Sequence, residues 1–199
     1  MPPSPPPLVL ASGSPRRVEL LRRAGFSPVV RPPAVDETPR PGESPVDLVA
    51  RLAAAKATAV SASDEAIVVG ADTTVVLDGS ILGKPADEEE ARRMLRRLQG
   101  RTHLVLTGWA VVRRGRVVAD GVAESRVTMR PVSEDEIVRY VAAGEPMDKA
   151  GGYALQGEGG RFVTEVEGST SNVIGLPLEE VVPVLESLGL RGAGRGDGR

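Results

Sequence analysis

The chain has 199 residues, enough for one large domain or two small lobes, and 41% of them are apolar, enough to bury a core. A formal net charge of −2 gives no global basic field, so tight non-specific binding to duplex nucleic acid is not expected and any anion site must be local. With no cysteine there is no disulfide frame, no thiolate zinc site and no cysteine nucleophile, and a reducing, cytoplasmic setting is expected.

Met1 to Pro7 carries five prolines, and Arg191 to Arg199 contains only Gly, Arg, Ala and Asp. Both ends are expected to be disordered tails around a single domain at residues 8–190. The first lacks a basic region followed by an apolar run, and no stretch approaches a membrane span, so neither export nor a membrane partner is expected.

The apolar run Leu8 to Ala11 predicts a buried strand. Ser14 as N-cap and Pro15 at the first helical position open a helix that stops at Gly25. An extended piece around Ser27 to Arg31 follows, and Ser44 with Pro45 begins a helix through Leu48, Leu52 and Lys56 to about Ala59. Ile67 to Ala71 reads as a second short strand, while Val75 to Leu77 and Ile81 to Leu82 flank Asp78-Gly79, a hairpin turn. Asp87 and three glutamates start a helix ended by Gly100. His103 to Val112 and Arg116 to Met129 read as two long strands, and Ser133 to Glu136 as the capping box of a helix closed by Gly144. A glycine-rich stretch (Ala150 to Gly160), a strand (Arg161 to Val166), a loop and a helix (Leu178 to Leu188) complete the chain. Strands alternate with helices early and form hairpins later, so the fold class is α/β, a mixed sheet flanked by helices.

Ser12-Gly13-Ser14-Pro15-Arg16-Arg17 is the first candidate for chemistry. Two arginines in the first turn of a helix face the positive end of its dipole, which is unfavourable unless an anion sits there. Free N–H groups, serine hydroxyls and two guanidiniums would then hold a phosphate. The alternative is a solvated arginine pair partly compensated by Glu19. Lys56 continues the i, i+4, i+8 line of Leu48 and Leu52, a position that lysine usually avoids; it either snorkels past the core edge or serves a site. Lys84, in the turn Gly83-Lys84-Pro85, is a second ammonium that a fixed backbone could aim inward.

The acidic candidates are Asp36-Glu37 in a proline-flanked loop and Asp72 at the end of the strand Ile67 to Ala71. Glu37 and Asp72 suit a hard cation such as Mg²⁺, which takes one or two carboxylates and leaves phosphate and water to complete its sphere; the other reading is solvated caps. His103 stands alone and reads as structural. The scarcity of aromatics besides Trp109 argues against a surface for single-stranded nucleic acid. Asp148 to Gly157, glycine-rich with polar side chains at intervals, suits a loop wrapped around a ligand, or an ordinary surface loop.

Together these segments resemble the Maf family: Leu10-Ala11-Ser12-Gly13-Ser14-Pro15-Arg16-Arg17, Val35-Asp36-Glu37, Arg51-Leu52-Ala53 to Lys56-Ala57, Gly70-Ala71-Asp72-Thr73 and Gly83-Lys84-Pro85 occur in the family's order. So do Gly144-Glu145-Pro146, Asp148-Lys149-Ala150-Gly151, Gln156-Gly157, Asn172-Val173 and Gly175-Leu176-Pro177-Leu178, and the resemblance spans about residues 8 to 188. It implies a nucleoside triphosphate pyrophosphatase with an elongated two-lobed α/β fold around a central cleft, a divalent metal cofactor such as Mg²⁺ or Mn²⁺, and frequently a homodimer. It also implies Asp72 as the proton acceptor that prepares the attacking water, with Glu37 and Asp72 at the metal. Ser14, Arg16, Arg17, Lys56 and Lys84 would bind phosphate.

Arg16, Thr73 and Gln156 stand where the subfamilies differ, and the combination resembles the branch acting on dTTP and UTP; the branch favouring 7-methyl-GTP tends to show Trp, Gln and Glu there. Gln156 could read the O4 and N3–H edge shared by thymine and uracil. Gly152, Ala154 and Thr170 depart from the family pattern at loop positions. Two rivals differ in class. A nucleotidyltransferase would have a loop richer in glycine and a lysine soon after it, whereas here Gly13 is alone. A regulatory module would bind nucleotide without turnover, yet Asp72 and both lysines are present.

Overall fold

The computed structural model describes residues 5–60 and 62–193; most of the two expected tails, at 1–4 and 194–199, lies outside the described residues. The strands are β1 (Leu8–Ala11), β2 (Val29–Val30), β3 (Ile67–Leu77), β4 (Ser80–Leu82), β5 (Thr102–Arg113), β6 (Arg116–Met129) and β7 (Val163–Glu167). The helices are α1 (Pro15–Arg23), α2 (Pro45–Ala59), α3 (Glu88–Leu98), α4 (Glu134–Ala142), α5 (Thr170–Ile174) and α6 (Leu178–Ser187). The strands form one sheet in the order β2-β1-β3-β5-β6-β7, with β4 paired to β3. β1 pairs in parallel with β2 and β3, whereas β3–β4 and β6–β7 are antiparallel, so the sheet is mixed as the pattern of elements predicts. Among the described residues no helix is long and apolar enough to cross a membrane.

Two expectations about elements need correction. Ile67 to Ala71 and Val75 to Leu77 are not separate strands: β3 runs unbroken from Ile67 to Leu77, which puts Asp72 in mid-strand rather than at a strand end. Asp72 is buried and paired with a lysine, and Thr73 and Thr74 suit the pleat, so the ladder continues. The loop before the last helix contains α5, and the glycine-rich stretch contains 3₁₀ turns at Ala150–Gly152 and Glu158–Phe162, preceded by another at Glu145–Asp148.

By contact density the chain divides into two compact units. The first comprises Met1–Asp72, Thr107–Val122 and Gly175–Arg199, and the second Thr73–Leu106 and Ala123–Ile174. In the first, Val9, Ala11, Ala53, Ala57, Ala66, Val68, Ala110 and Val112 form a core of small side chains. Such a core lets α2 lie close to the sheet, and two glycines set the distance. A Cβ on Gly70 of β3 would stand 2.5 Å from the Ala53 carbonyl oxygen and 2.6 Å from the Ala57 nitrogen, and one on Gly108 of β5 would overlap the backbone of Val49. Gly70→Ala must therefore push α2 off the sheet. A loss of about 3 kcal/mol in unfolding free energy is expected, at the upper end of overpacking effects, and is measurable by denaturant titration; a loss under about 1 kcal/mol would contradict this close contact.

The second unit buries a cluster that includes Val75, Leu95, Leu98, Val105, Val127, Met129, Ile137 and Phe162. Its hairpin turn is as the Asp-Gly pair predicts: Asp78 and Gly79 both have positive φ (51° and 74°), the two-residue form whose twist suits a hairpin. Ser133 and Glu136 make the expected capping box on α4.

His103, read as structural, is buried with Nε2 2.7 Å from the Tyr153 hydroxyl. Burial pushes its pKa down to about 4 from an ordinary 6.5. The unfolded chain then takes up a proton before the folded one does. The neutral-histidine contribution is complete above pH 6.5, is lost as pH falls toward 4, and amounts to about 3 kcal/mol across that window. Between pH 7 and 4 the parent should lose about that much more stability than His103→Asn; parallel curves would contradict it.

Candidate functional site

The first unit brings most of the candidate residues together at the end of β1. Ala11 is in register with Gly70, so the loop leaving β1 begins two residues from the position of Asp72 in β3. The Ser14 N–H donates to Ser12 Oγ at 3.1 Å, a bond that folds the loop tightly into α1. Ser14 is the N-cap, but its hydroxyl makes no cap bond, and the first turn of α1 contains no acidic residue. Glu19, the compensating charge in the solvated-pair reading, instead accepts from Arg23 Nε at 2.8 Å.

Arg17 turns back beneath the loop. Its Nε donates to the Gly175 carbonyl at 2.7 Å and its Nη1 to Ser12 Oγ at 3.1 Å. Burial depresses its pKa; the fields of Asp72 and Glu37 oppose this and that of Arg16 adds to it. A guanidinium remains charged in such surroundings, so a fixed cation stands at the positive end of α1.

The position of Lys56 excludes the first of its two readings. It belongs to the buried stripe Leu48, Val49, Leu52, Ala53, Lys56 and Ala57, and is only 7% exposed. Its Nζ donates to Asp72 Oδ1 at 2.6 Å and reaches Glu37 Oε1 at 2.8 Å. It does not snorkel to water: it bridges two carboxylates. The close approach of α2 to Gly70, two residues before Asp72, is what brings the ammonium within reach.

The loop that carries Glu37 is anchored by a pair that the sequence reading missed. Arg51 Nε and Nη2 both bond the Glu43 carboxylate, and Nη2 also donates to the Thr38 carbonyl at 3.2 Å. The Arg51 guanidinium, together with the Arg40 N–H, holds the Glu43 carboxyl down at about 2. Asp36 Oδ1 accepts the Thr38 N–H at 2.9 Å, a local Asx turn. Arg51 stands in the Arg51-Leu52-Ala53 segment, but its partner lies eight residues earlier with no helical periodicity to betray it.

The second unit holds the other three candidates. Thr73 follows Asp72 in β3 and is half-buried; Lys84 and Gln156 are exposed on loops. The Lys84 turn is tied to the glycine-rich stretch, because the Gly151 N–H donates to the Gly83 carbonyl at 3.0 Å. Gly151 has φ 70° and packs on Val75, where a Cβ would meet Val75 Cγ2 at 2.9 Å. At Gly151 the stretch is therefore held against β3 and the Lys84 turn.

Glu37 and Asp72 converge on one ammonium, so their oxygens already lie where a single cation is held. Among the described residues no group of three or more His, Cys, Asp or Glu side chains could hold a metal. Two carboxylates, with phosphate and water to complete the shell, is the pattern that suits Mg²⁺ or Mn²⁺, and the residues fit such an ion.

A mixed α/β sheet with a cationic loop-to-helix turn beside a lysine-bridged carboxylate pair defines an α/β protein equipped to hold a phosphorylated ligand. The chain belongs to the Maf family: the family described as Maf-like protein matches residues 7–188. The chain is 51% identical over 187 residues to the dTTP/UTP pyrophosphatase of Anaeromyxobacter dehalogenans (strain 2CP-C), covering 92% of this chain and 95% of the relative. It is 52% identical over 184 residues to the dTTP/UTP pyrophosphatase of Myxococcus xanthus (strain DK1622), covering 92% and 93%. It is 49% identical over 185 residues to the protein of the same name from Syntrophus aciditrophicus (strain SB), covering 92% and 90%.

Proposed function

We propose that the chain hydrolyses dTTP and UTP to the monophosphate and pyrophosphate. The observation that carries this reading is the Glu37–Lys56–Asp72 bridge beside the arginine-bearing start of α1, in a chain about half identical to relatives of that name. Ser14, Arg16, Arg17, Lys56 and Lys84 bind the triphosphate and neutralise charge on the departing pyrophosphate. Asp72 takes the proton of the attacking water, with Lys56 bonded to its Oδ1. The new bond forms between water oxygen and α-phosphorus, and the bond from α-phosphorus to the bridging oxygen breaks. Glu37 and Asp72 would hold a divalent cation, Mg²⁺ or Mn²⁺, which when bound would supply Lewis-acid polarisation of the phosphate oxygens. Arg16, Thr73 and Gln156 set the pyrimidine preference. The protein works in the cytoplasm as a homodimer, in line with its lack of cysteine and with the frequent state of the family.

Turnover in ¹⁸O-labelled water tests the site of attack. Label should enter the monophosphate; label in pyrophosphate would contradict the reading. Gln156→Glu replaces the amide donor with a carboxylate, and kcat/KM for dTTP should fall about tenfold or more relative to the parent. An unchanged dTTP preference would remove Gln156 from base recognition.

A further inference from the structure

Gln156 lies on an exposed turn, and an exposed glutamine discriminates between bases only if its backbone is held. The holding group is a carboxylate for which the proposed mechanism has no use. Glu145, on the 3₁₀ turn after α4, reaches under the Gln156 turn. Its Oε1 accepts the Gly159 N–H at 3.1 Å and the Tyr140 hydroxyl at 2.9 Å, and its Oε2 accepts the Glu158 N–H at 3.0 Å. Its own carbonyl accepts from Lys149 Nζ at 2.8 Å.

The glycines of the turn leave room for this carboxylate and no more. A Cβ on Gly157 would overlap the Glu145 carboxyl group, one on Gly159 would stand 2.6 Å from the Tyr140 hydroxyl, and one on Gly160 would collide with the Leu155 carbonyl. The Gly160 N–H donates to the Gly157 carbonyl at 3.0 Å, closing the turn on itself. Burial alone would raise the Glu145 pKa, but the Gly159 N–H, the Tyr140 hydroxyl, the Glu158 N–H and Lys149 outweigh it and bring the carboxyl below its usual range. A charged acceptor with three donors is therefore built into the base of this turn.

We infer that Glu145 is a positioning residue for nucleobase discrimination: its carboxylate fixes the residue 156–160 turn and so aims Gln156 at the pyrimidine edge. This rests on the reading of Gln156 above. A merely structural role would lower activity on every nucleotide alike. A positioning role lowers the ratio of kcat/KM for dTTP to that for CTP, chiefly through KM for dTTP, while pyrophosphate remains the product.

Glu145→Gln loses one of its acceptor positions and should reduce that ratio about tenfold. Tyr140→Phe, which keeps the ring and removes one donor, should reduce it in the same direction by less and guards against a misfolded first variant; melting curves establish that each is folded. Gln156→Ala separates the two claims. If Gln156→Ala lowers the ratio while folded Glu145→Gln and Tyr140→Phe leave it unchanged, the positioning role is overturned and the Gln156 reading survives. If Gln156→Ala leaves the ratio unchanged, the Gln156 reading is overturned and the positioning role with it. A Glu145→Gln/Gln156→Ala double variant no less selective than Gln156→Ala alone is the expected sign that Glu145 acts through Gln156; further additive loss would contradict it.

Discussion

Asp72→Asn should abolish most turnover, lowering kcat for dTTP by about 10²–10⁴-fold, while dTTP still binds and the protein still melts as a folded chain. The expectation follows from position. Asp72 is held in mid-strand by β3, its carboxylate is 12% exposed, and one of its oxygens is committed to Lys56. The amide of asparagine can still accept from Lys56, and Lys56 keeps Glu37 at 2.8 Å, so the arrangement around it survives. In the proposed mechanism, what disappears is the base that takes the proton from water. Rapid-quench measurement of pyrophosphate, with calorimetric binding of dTTP beside it, separates the two. A variant retaining more than about a tenth of parental kcat would mean that Asp72 is not the proton acceptor.

Lys56→Met should have the second large effect, on stability as well as activity. Methionine fills the space of the aliphatic stem but leaves Asp72 without its ammonium in a nearly buried place. Removing one partner from a buried pair costs about 3–5 kcal/mol. Glu37, 49% exposed, is screened by water and adds little, so about 3 kcal/mol is expected, or roughly 10 °C in Tm for a chain of this size. Activity should fall about 10²-fold or more. The informative part is the response to Mg²⁺ or Mn²⁺. With the ammonium gone, two carboxylates face one another, and added cation should raise the Tm of Lys56→Met by more than it raises that of the parent. Equal shifts would contradict the proposed metal site at Glu37 and Asp72.

The separation of Lys56 from its surroundings in sequence explains why its two readings could not be decided there. Helical periodicity places Lys56 on the buried face of α2, but which groups meet it depends on how close α2 sits to the sheet. That distance is set by Gly70 and Gly108, whose tight contacts with the α2 backbone leave no pattern in a hydrophobicity profile. Local signals fared better. The Asp78-Gly79 hairpin, the Ser133–Glu136 capping box and the Ser14-Pro15 helix start all appear where their residues predict them, because each is decided within a few positions along the chain.

The break expected at Asp72 failed for the opposite reason. A charge inside an apolar run reads locally as a strand end, and the lysine 16 residues earlier is what pairs with it within a buried strand. The same holds for Arg51–Glu43 and for Glu145 with Glu158 and Gly159. In each, a polar group is explained by a partner whose spacing carries no periodic signature. The family resemblance supplied the segments, among them Arg51 and Glu145, without the contacts that give them work.

Product analysis tests the proposed reaction. Purified protein is incubated with Mg²⁺ or Mn²⁺ and each of dTTP, UTP, CTP, GTP, ATP and 7-methyl-GTP, and pyrophosphate, monophosphate and free phosphate are measured separately. Pyrophosphate with equimolar TMP or UMP, formed faster than product from the other four nucleotides and lost in Asp72→Asn, is the predicted result. Nucleotide binding without turnover, or 7-methyl-GTP as the preferred substrate, would contradict it.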